Sequence, residues 1–176
     1  MTITTKTSTQ NNKINVSFLN LLITDEYVLY TKTRTAQWNI EGENYFDLYM
    51  SLEKQHNSID NMIIDIADLI RSCGHIALGS CKNIVSITQK NNVNRNFSKS
   101  VKIFKTLQND HEIIISNIQR ELLLLPDQFN ENKTATLLTE LMEKHKKMAW
   151  TLRFLFTNPN FNLNESLRNN KINAID

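Results

Sequence analysis

The chain has 176 residues, of which 40 % are hydrophobic, and a formal net charge of +2. This is enough for one sizeable core and too little for two, and the charge is too small to indicate nucleic-acid binding by itself. Three glycines and two prolines leave few positions for tight turns, which disfavours a β protein, and two cysteines are too few for a disulfide framework. No segment has the ~18 consecutive apolar residues of a membrane span, and no signal peptide is evident, so we expect a cytoplasmic protein with no membrane partner.

The first part of the chain predicts a tail followed by two long helices. Residues 1–13 contain mainly Thr, Gln, Asn and Lys and predict a flexible tail, in which Lys6 and Lys13 are the only charged side chains. From Asn15 to about Asn39, apolar residues recur at helical spacing on more than one side, which predicts a first helix that is covered on more than one side. Gly42 supplies a turn. The second helix is predicted from about Asn44 to Cys73 and ends at Gly74, and its inward stripe is Leu48, Leu52, Ile59, Met62, Ile63, Ile66 and Ile70.

The second part of the chain predicts a long connection and two more helices. Residues 83–89 predict a short helix within a connection that ends in an Asn-rich loop. Ser98 is the expected N-cap of a third helix that ends before Pro126, and a fourth helix runs from about Lys133 to Pro159. Residues 159–176 are Asn-rich and predict a second flexible tail. Four long helices with one long crossover describe an all-α, ferritin-like four-helix bundle over residues 14–158.

A few polar side chains on these helices could carry chemistry. Glu53 and His56 form a Glu-x-x-His pair, the local unit of di-iron carboxylate bundles, but such a site needs two pairs and only one is present. His111 and His145 each occupy a core position of their helix, where a histidine can ligate a metal or be held by hydrogen bonds, and we expect the second. Trp38 and Trp150 are expected in the core or at an interface. The window from Lys90 to Lys105 is basic throughout and predicts a solvated surface, with nucleic-acid contact as the alternative.

Several stretches of the sequence resemble the Dps family of mini-ferritins. They are DEYVLYTKTR, the Trp-Asn pair before Gly42, IALGS, and, in the last helix, LLTELMEKHKKMAWTLR. This resemblance implies a hollow dodecameric shell of two-fold dimers that oxidises and stores iron at sites between subunits and, in many members, protects DNA.

The family's iron ligands are two histidines and an acid from one subunit, with an Asp and a Glu from the partner. The resemblance places the histidines at Gln37 and Tyr49 and the partner's Asp at Ile64, so three positions have lost the family's ligand. An amide is a weak neutral donor, tyrosine ligates well only as a phenolate, and isoleucine has no donor atom. Carboxylates remain at Glu53 and Asp68, which could hold a hard cation weakly or pair with a basic side chain.

The regions that the family uses for iron entry and for DNA differ as well. Lys133 and Thr136 replace a Gly and an Asp of the pore pattern, which leaves Asp127 and Glu131 as possible acids of a pore. Lys6 and Lys13 are the candidate DNA-binding residues of the N-terminal tail, and many copies of the tail in one shell would add their weak contacts.

The sequence therefore favours a Dps-like shell protein whose ferroxidase centre is degenerate. One alternative is an active ferroxidase with a rearranged interface site that recruits Glu53, His56, Asp60 or Asp68. Another alternative is a subunit that assembles together with a competent paralogue.

Overall fold

Four α-helices make up the described part of the protein. The computed structural model describes residues 4–41, 45–79, 100–124 and 133–157. The helices are α1 (Thr4–Trp38), α2 (Tyr45–Ser72), α3 (Ser100–Leu124) and α4 (Lys133–Thr157). α1 packs against α2 and α3, and α4 packs against α3 and α2, so the order around the bundle is α1, α2, α4, α3. The prediction of an all-α, ferritin-like four-helix bundle is confirmed, whereas the predicted short helix at 83–89 and the Ser98 cap lie outside the described residues.

The core follows the predicted stripes closely. All seven apolar residues predicted to face inward from α2 are buried, and α3 and α4 face them with residues such as Phe104, Leu107, Leu141 and Leu152. Three-and-four spacing puts these side chains on one face of each helix, and burial of each large apolar side chain contributes about 1.5–3 kcal/mol. Packing of these faces is therefore the main force that holds the bundle together.

The predicted start of α1 needs correction, and one of two alternatives for Trp38 is excluded. The helix begins at Thr4 and not near Asn15, because extending a helix costs far less than starting one and a polar segment can continue it. Whether residues 1–13 are mobile stays a prediction. Trp38 is 67 % exposed, so it does not lie in the core of the single subunit, and its place at an interface stays a prediction.

The helix ends agree with the predicted stop signals. Gly74 adopts a φ of +81°, and the N–H groups of Gly74 and His75 donate to the carbonyls of Arg71 and Ile70, which is a Schellman motif. α3 and α4 end two residues before Pro126 and Pro159, as expected because the residue before a proline avoids the helical conformation. The Gly42 turn lies outside the described residues. Within the described ranges, no helix combines the length and the apolar character that a membrane crossing requires.

Candidate functional site

The register between α1 and α2 shows how three of the positions that the resemblance assigned to iron ligands lie relative to one another. Nη1 of Arg34 on α1 lies 2.9 Å from Nε2 of His56 on α2. The two helices are consecutive and packed together, so they run antiparallel, and one further turn along each brings Gln37 to the level of Glu53. Gln37 is buried and Glu53 is half-buried, while the half-buried ring of Tyr49 lies 5.6 Å from that of Tyr45.

The other two positions that the resemblance assigned to iron ligands lie farther along α2. Ile64 is 52 % exposed and Asp68 is exposed, both in the second half of α2. Fifteen residues separate Glu53 from Asp68, which corresponds to about 22 Å along a helix axis at 1.5 Å per residue. One chain therefore cannot bring these two carboxylates to the same ion.

His56 is held as a neutral ring. Its pKa is lowered, first by burial and then by the neighbouring Arg34 guanidinium, against the smaller opposite effects of Glu53 and Asp60. A guanidinium only donates, so the Nε2 atom of His56 accepts this hydrogen bond and carries no proton. The Nε2 lone pair of His56 is thus already used by a cation, and His56 itself is buried.

A chain of three polar side chains crosses the interior of the bundle. Oε1 of Glu26 lies 2.7 Å from Nε2 of His145, and Nδ1 of His145 lies 2.8 Å from Nδ1 of His111. The side chains come from α1, α4 and α3, and all three residues are 0 % exposed. The prediction that the two histidines are hydrogen-bonded core residues is confirmed.

Glu26 was not among the residues predicted to carry chemistry. It stands three residues after Ile23 and three before Leu29, both of which are buried, so it occupies an inward position of the α1 stripe. A carboxylate at such a position needs a hydrogen-bond donor because burial of an unpaired charge is costly. An acidic residue at an inward position of α1 could therefore have indicated that Glu26 pairs with one of the two core histidines.

Half-buried charged side chains lie next to the hydrogen-bonded chain of Glu26, His145 and His111. The pKa of Asp25 is raised to about 6, chiefly by burial and further by the negative charges of Glu26 and Asp110. Nζ of Lys32 lies 2.7 Å from Oδ2 of Asp110, and this ion pair balances the negative charge of Asp110. The pKa of His111 is lowered to about 3 by burial and by the adjacent His145, so this ring is neutral at physiological pH.

The described ranges contain no group of three or more His, Cys, Asp or Glu side chains that could hold a metal ion. Asp127 and Glu131 lie outside those ranges. Lys6 and Lys13 lie on the first part of α1, where the structure describes the backbone and not the side chains.

Comparisons with known proteins agree with this architecture. Residues 16–160 match the Ferritin family, described as a ferritin-like domain. A low temperature-induced protein of Nostoc is 28 % identical over 138 residues, which are 78 % of this chain and 77 % of the relative. The DNA protection during starvation protein of Helicobacter pylori is 24 % identical over 134 residues, which are 76 % of this chain and 92 % of the relative.

Among solved structures, Dps92 of Deinococcus radiodurans superposes with a TM-score of 0.76 at 22 % identity, covering 89 % of this chain and 97 % of the other. This likeness establishes the fold. The family match covers most of the sequence, so the chain belongs to the ferritin-like family, and the relatives and solved structures that it resembles include Dps proteins.

Proposed function

We propose that the protein is a subunit of a Dps-like shell, assembled from two-fold dimers into a dodecamer, in which the family-type iron-oxidation centre is degenerate. The observation that carries the proposal is the chemistry of the five ligand positions. Two of the five, Glu53 and Asp68, have carboxylates, and the two histidine positions have none of the imidazoles that bind iron well.

The residues present at these positions do not fit a family-type centre. Gln37 offers only a neutral amide and is buried, and Ile64 offers no donor atom. His56, the nearest histidine on α2, is engaged by Arg34. Iron, the substrate of the family, would therefore meet one carboxylate from each of two subunits, a donor set better suited to weak binding of a hard cation such as Mg²⁺ or Ca²⁺.

The separation of Glu53 and Asp68 supports a site between subunits. The distance of about 22 Å along α2 excludes a shared ion within one chain, whereas an antiparallel second copy could bring Asp68 to Glu53. Any metal binding at these residues should therefore require assembly.

Exposed apolar side chains support the assembly itself. Large exposed hydrophobic residues on a folded domain commonly mark contacts with other subunits. Here they occur on all four helices, and the most exposed of those on the helices are Trp38, Phe46, Ile64, Leu123, Leu124 and Trp150.

A role in iron sequestration or DNA protection rests on the family alone. Under this proposal, Asp127 and Glu131 line a pore that Lys133 makes less negative, which would weaken the attraction of cations. Lys6 and Lys13 would contact DNA phosphates through the combined tails of one shell, and such contacts weaken steeply as salt rises.

The test is anaerobic addition of Fe²⁺ to the purified, sized assembly, followed by peroxide or air, with the rate of ferric formation compared with that in buffer. We expect a rate close to that of buffer. Replacement of four positions together, Gln37→His, Tyr49→His, Ile64→Asp and Asp68→Glu, restores the family's ligand set and should raise the rate well above buffer.

A control pair and a test pair of substitutions show which carboxylates contribute to the rate of iron oxidation. The pair Glu140→Ala and Glu143→Ala removes two exposed carboxylates of α4 and should leave the rate unchanged. A fast wild-type reaction abolished by Glu53→Ala with Asp68→Ala, but not by the control pair, would refute the degenerate centre and establish a rearranged interface site. Slow wild-type oxidation that becomes fast only after mixing with a competent Dps protein would instead support the co-assembling subunit.

A further inference from the structure

The chain formed by Glu26, His145 and His111 joins three helices through two buried hydrogen bonds. Each bond needs one proton. When both rings are neutral, the proton of His145 lies on Nε2 and is donated to Glu26, and Nδ1 of His145 accepts from Nδ1–H of His111. This arrangement satisfies every atom that takes part in the two bonds.

A further proton on either ring would have no hydrogen-bond acceptor among the described residues, and Oε2 of Glu26 is likewise buried without a partner there. Nε2 of His111 is buried and has no hydrogen-bond partner among the described residues. A proton bound there would create a buried N–H group without an acceptor. A proton bound to His145 would force His111 to move its own proton to Nε2, which leaves the same unpaired group. Either route carries the cost of an unsatisfied buried donor.

We propose that Glu26, His145 and His111 form an acid-sensitive latch, which ties α1 to α3 and α4 while His111 is neutral and is released when the chain takes up a proton. The latch lies inside the subunit and is distinct from the positions that the family uses for iron. Acidification should therefore loosen the subunit whether or not iron is present.

Linkage fixes the direction of the pH effect. In the folded state, burial and the adjacent His145 lower the pKa of His111 from its ordinary value of about 6.5 to about 3. At pH values between about 6.5 and 3, His111 therefore binds a proton in the unfolded protein and not in the folded protein. The stabilising contribution is complete above about pH 6.5 and is lost as the pH falls toward 3.

Other ionisable groups near the latch act differently. On α1, Asp25 favours its protonated form and partly opposes the acid effect between about pH 6 and 4, while Lys32 is paired with Asp110 of α3. On α4, Lys144 pairs with Asp65 of α2 near the surface. The polar residues that α2 buries are Gln55 and His56, and His56 faces Arg34.

The test is urea unfolding of the full-length protein between pH 7.5 and 4.5, at fixed protomer concentration, for the wild type and His111→Asn. The Asn side-chain amide can replace Nδ1–H as donor to His145 and does not titrate. We expect the folding equilibrium constant of the wild type to fall, relative to the variant, by a factor that approaches tenfold per pH unit below pH 6.

His75→Asn is the control, because it removes a histidine at the end of α2 that is remote from the latch. Its pH dependence should match that of the wild type. Equal pH slopes for the wild type and His111→Asn would refute the latch. If His111→Asn does not fold, ¹⁵N spectra of the histidines decide: a neutral Nδ1–H ring for His111 in the folded wild type at pH 5 supports the proposal, and an imidazolium there refutes it.

Discussion

Two neighbouring carboxylates on α1 show how strongly local surroundings decide the behaviour of a residue. Glu26 is completely buried and accepts a hydrogen bond from His145. Asp25 is half-buried, and its pKa is raised to about 6 by burial and by the charges of Glu26 and Asp110. At neutral pH the Asp25 carboxylate is therefore a destabilising charge, and one that the fold tolerates beside its most buried polar chain.

Replacement of Asp25 by Asn should stabilise the protein at pH 7. A folded-state pKa above the unfolded value means that the carboxylate costs stability above about pH 6 and costs nothing below about pH 3.8, where both states are protonated. We expect a gain of roughly 1 to 2 kcal/mol at pH 7, after allowance for screening by solvent, and a much smaller gain at pH 4.5. Urea unfolding at both pH values measures the difference, and Asp60→Asn on the exposed face of α2 is the control. An equal gain at both pH values would contradict this explanation.

At the scale of the element, the end of α2 depends on one backbone conformation. Gly74 has a φ of +81°, and the Schellman hydrogen bonds of Gly74 and His75 depend on it. A Cβ atom at this position would meet nothing within 4 Å, so space is not the constraint. The constraint is the left-handed conformation itself, which any residue with a side chain resists.

Gly74→Ala should therefore destabilise the protein by about 1 kcal/mol. Gly79→Ala is a matched control, because a Cβ there also meets nothing within 4 Å and the backbone has no positive φ. Thermal unfolding of the two variants measures the effect. A similar melting temperature for both would show that the Schellman turn is not under strain from a side chain.

At the scale of the whole molecule, the single chain leaves apolar surface that a monomer would not need. Ile64 is 52 % exposed although it is surrounded along α2 by buried residues such as Met62, Ile63 and Ile66. In the proposed assembly, this hydrophobic residue on the outer side of α2 would contact another subunit.

Ile64→Lys should therefore disrupt assembly and leave the subunit folded. A charge introduced at a subunit contact must be desolvated, which costs several kcal/mol, whereas at an exposed site in a monomer it costs little. Sedimentation velocity measures the assembly, and circular dichroism measures the helix content. Ser116→Lys, at an exposed polar position of α3, is the control. An unchanged oligomer with Ile64→Lys would remove Ile64 from the interface.

Sequence periodicity predicted the bundle well, because each helix carries its inward stripe in the order of its own residues. The seven buried apolar residues of α2 and the stop at Gly74 are local features of this kind. Periodicity could not decide between core and interface for Trp38, because at the end of a helix the inward direction is set by the neighbouring helices, which here cover Ala36 and Gln37.

The site was less accessible from the sequence. Periodicity placed His111 and His145 in the core, but their pairing with Glu26 depends on how three helices that are distant in sequence come together. The ligand positions came from family resemblance, and a site shared between subunits depends on contacts that one chain does not contain.

The two tryptophans have a practical consequence. Trp38 and Trp150, the only tryptophans in the chain, are 67 % and 62 % exposed in the single subunit. Their indole rings already contact water in a folded monomer, so unfolding a monomer should change their emission little. Burial between subunits would shift the emission to shorter wavelength. Intrinsic fluorescence of this protein should thus follow association, while far-ultraviolet circular dichroism follows folding, and the two processes can be measured separately in one sample without a label.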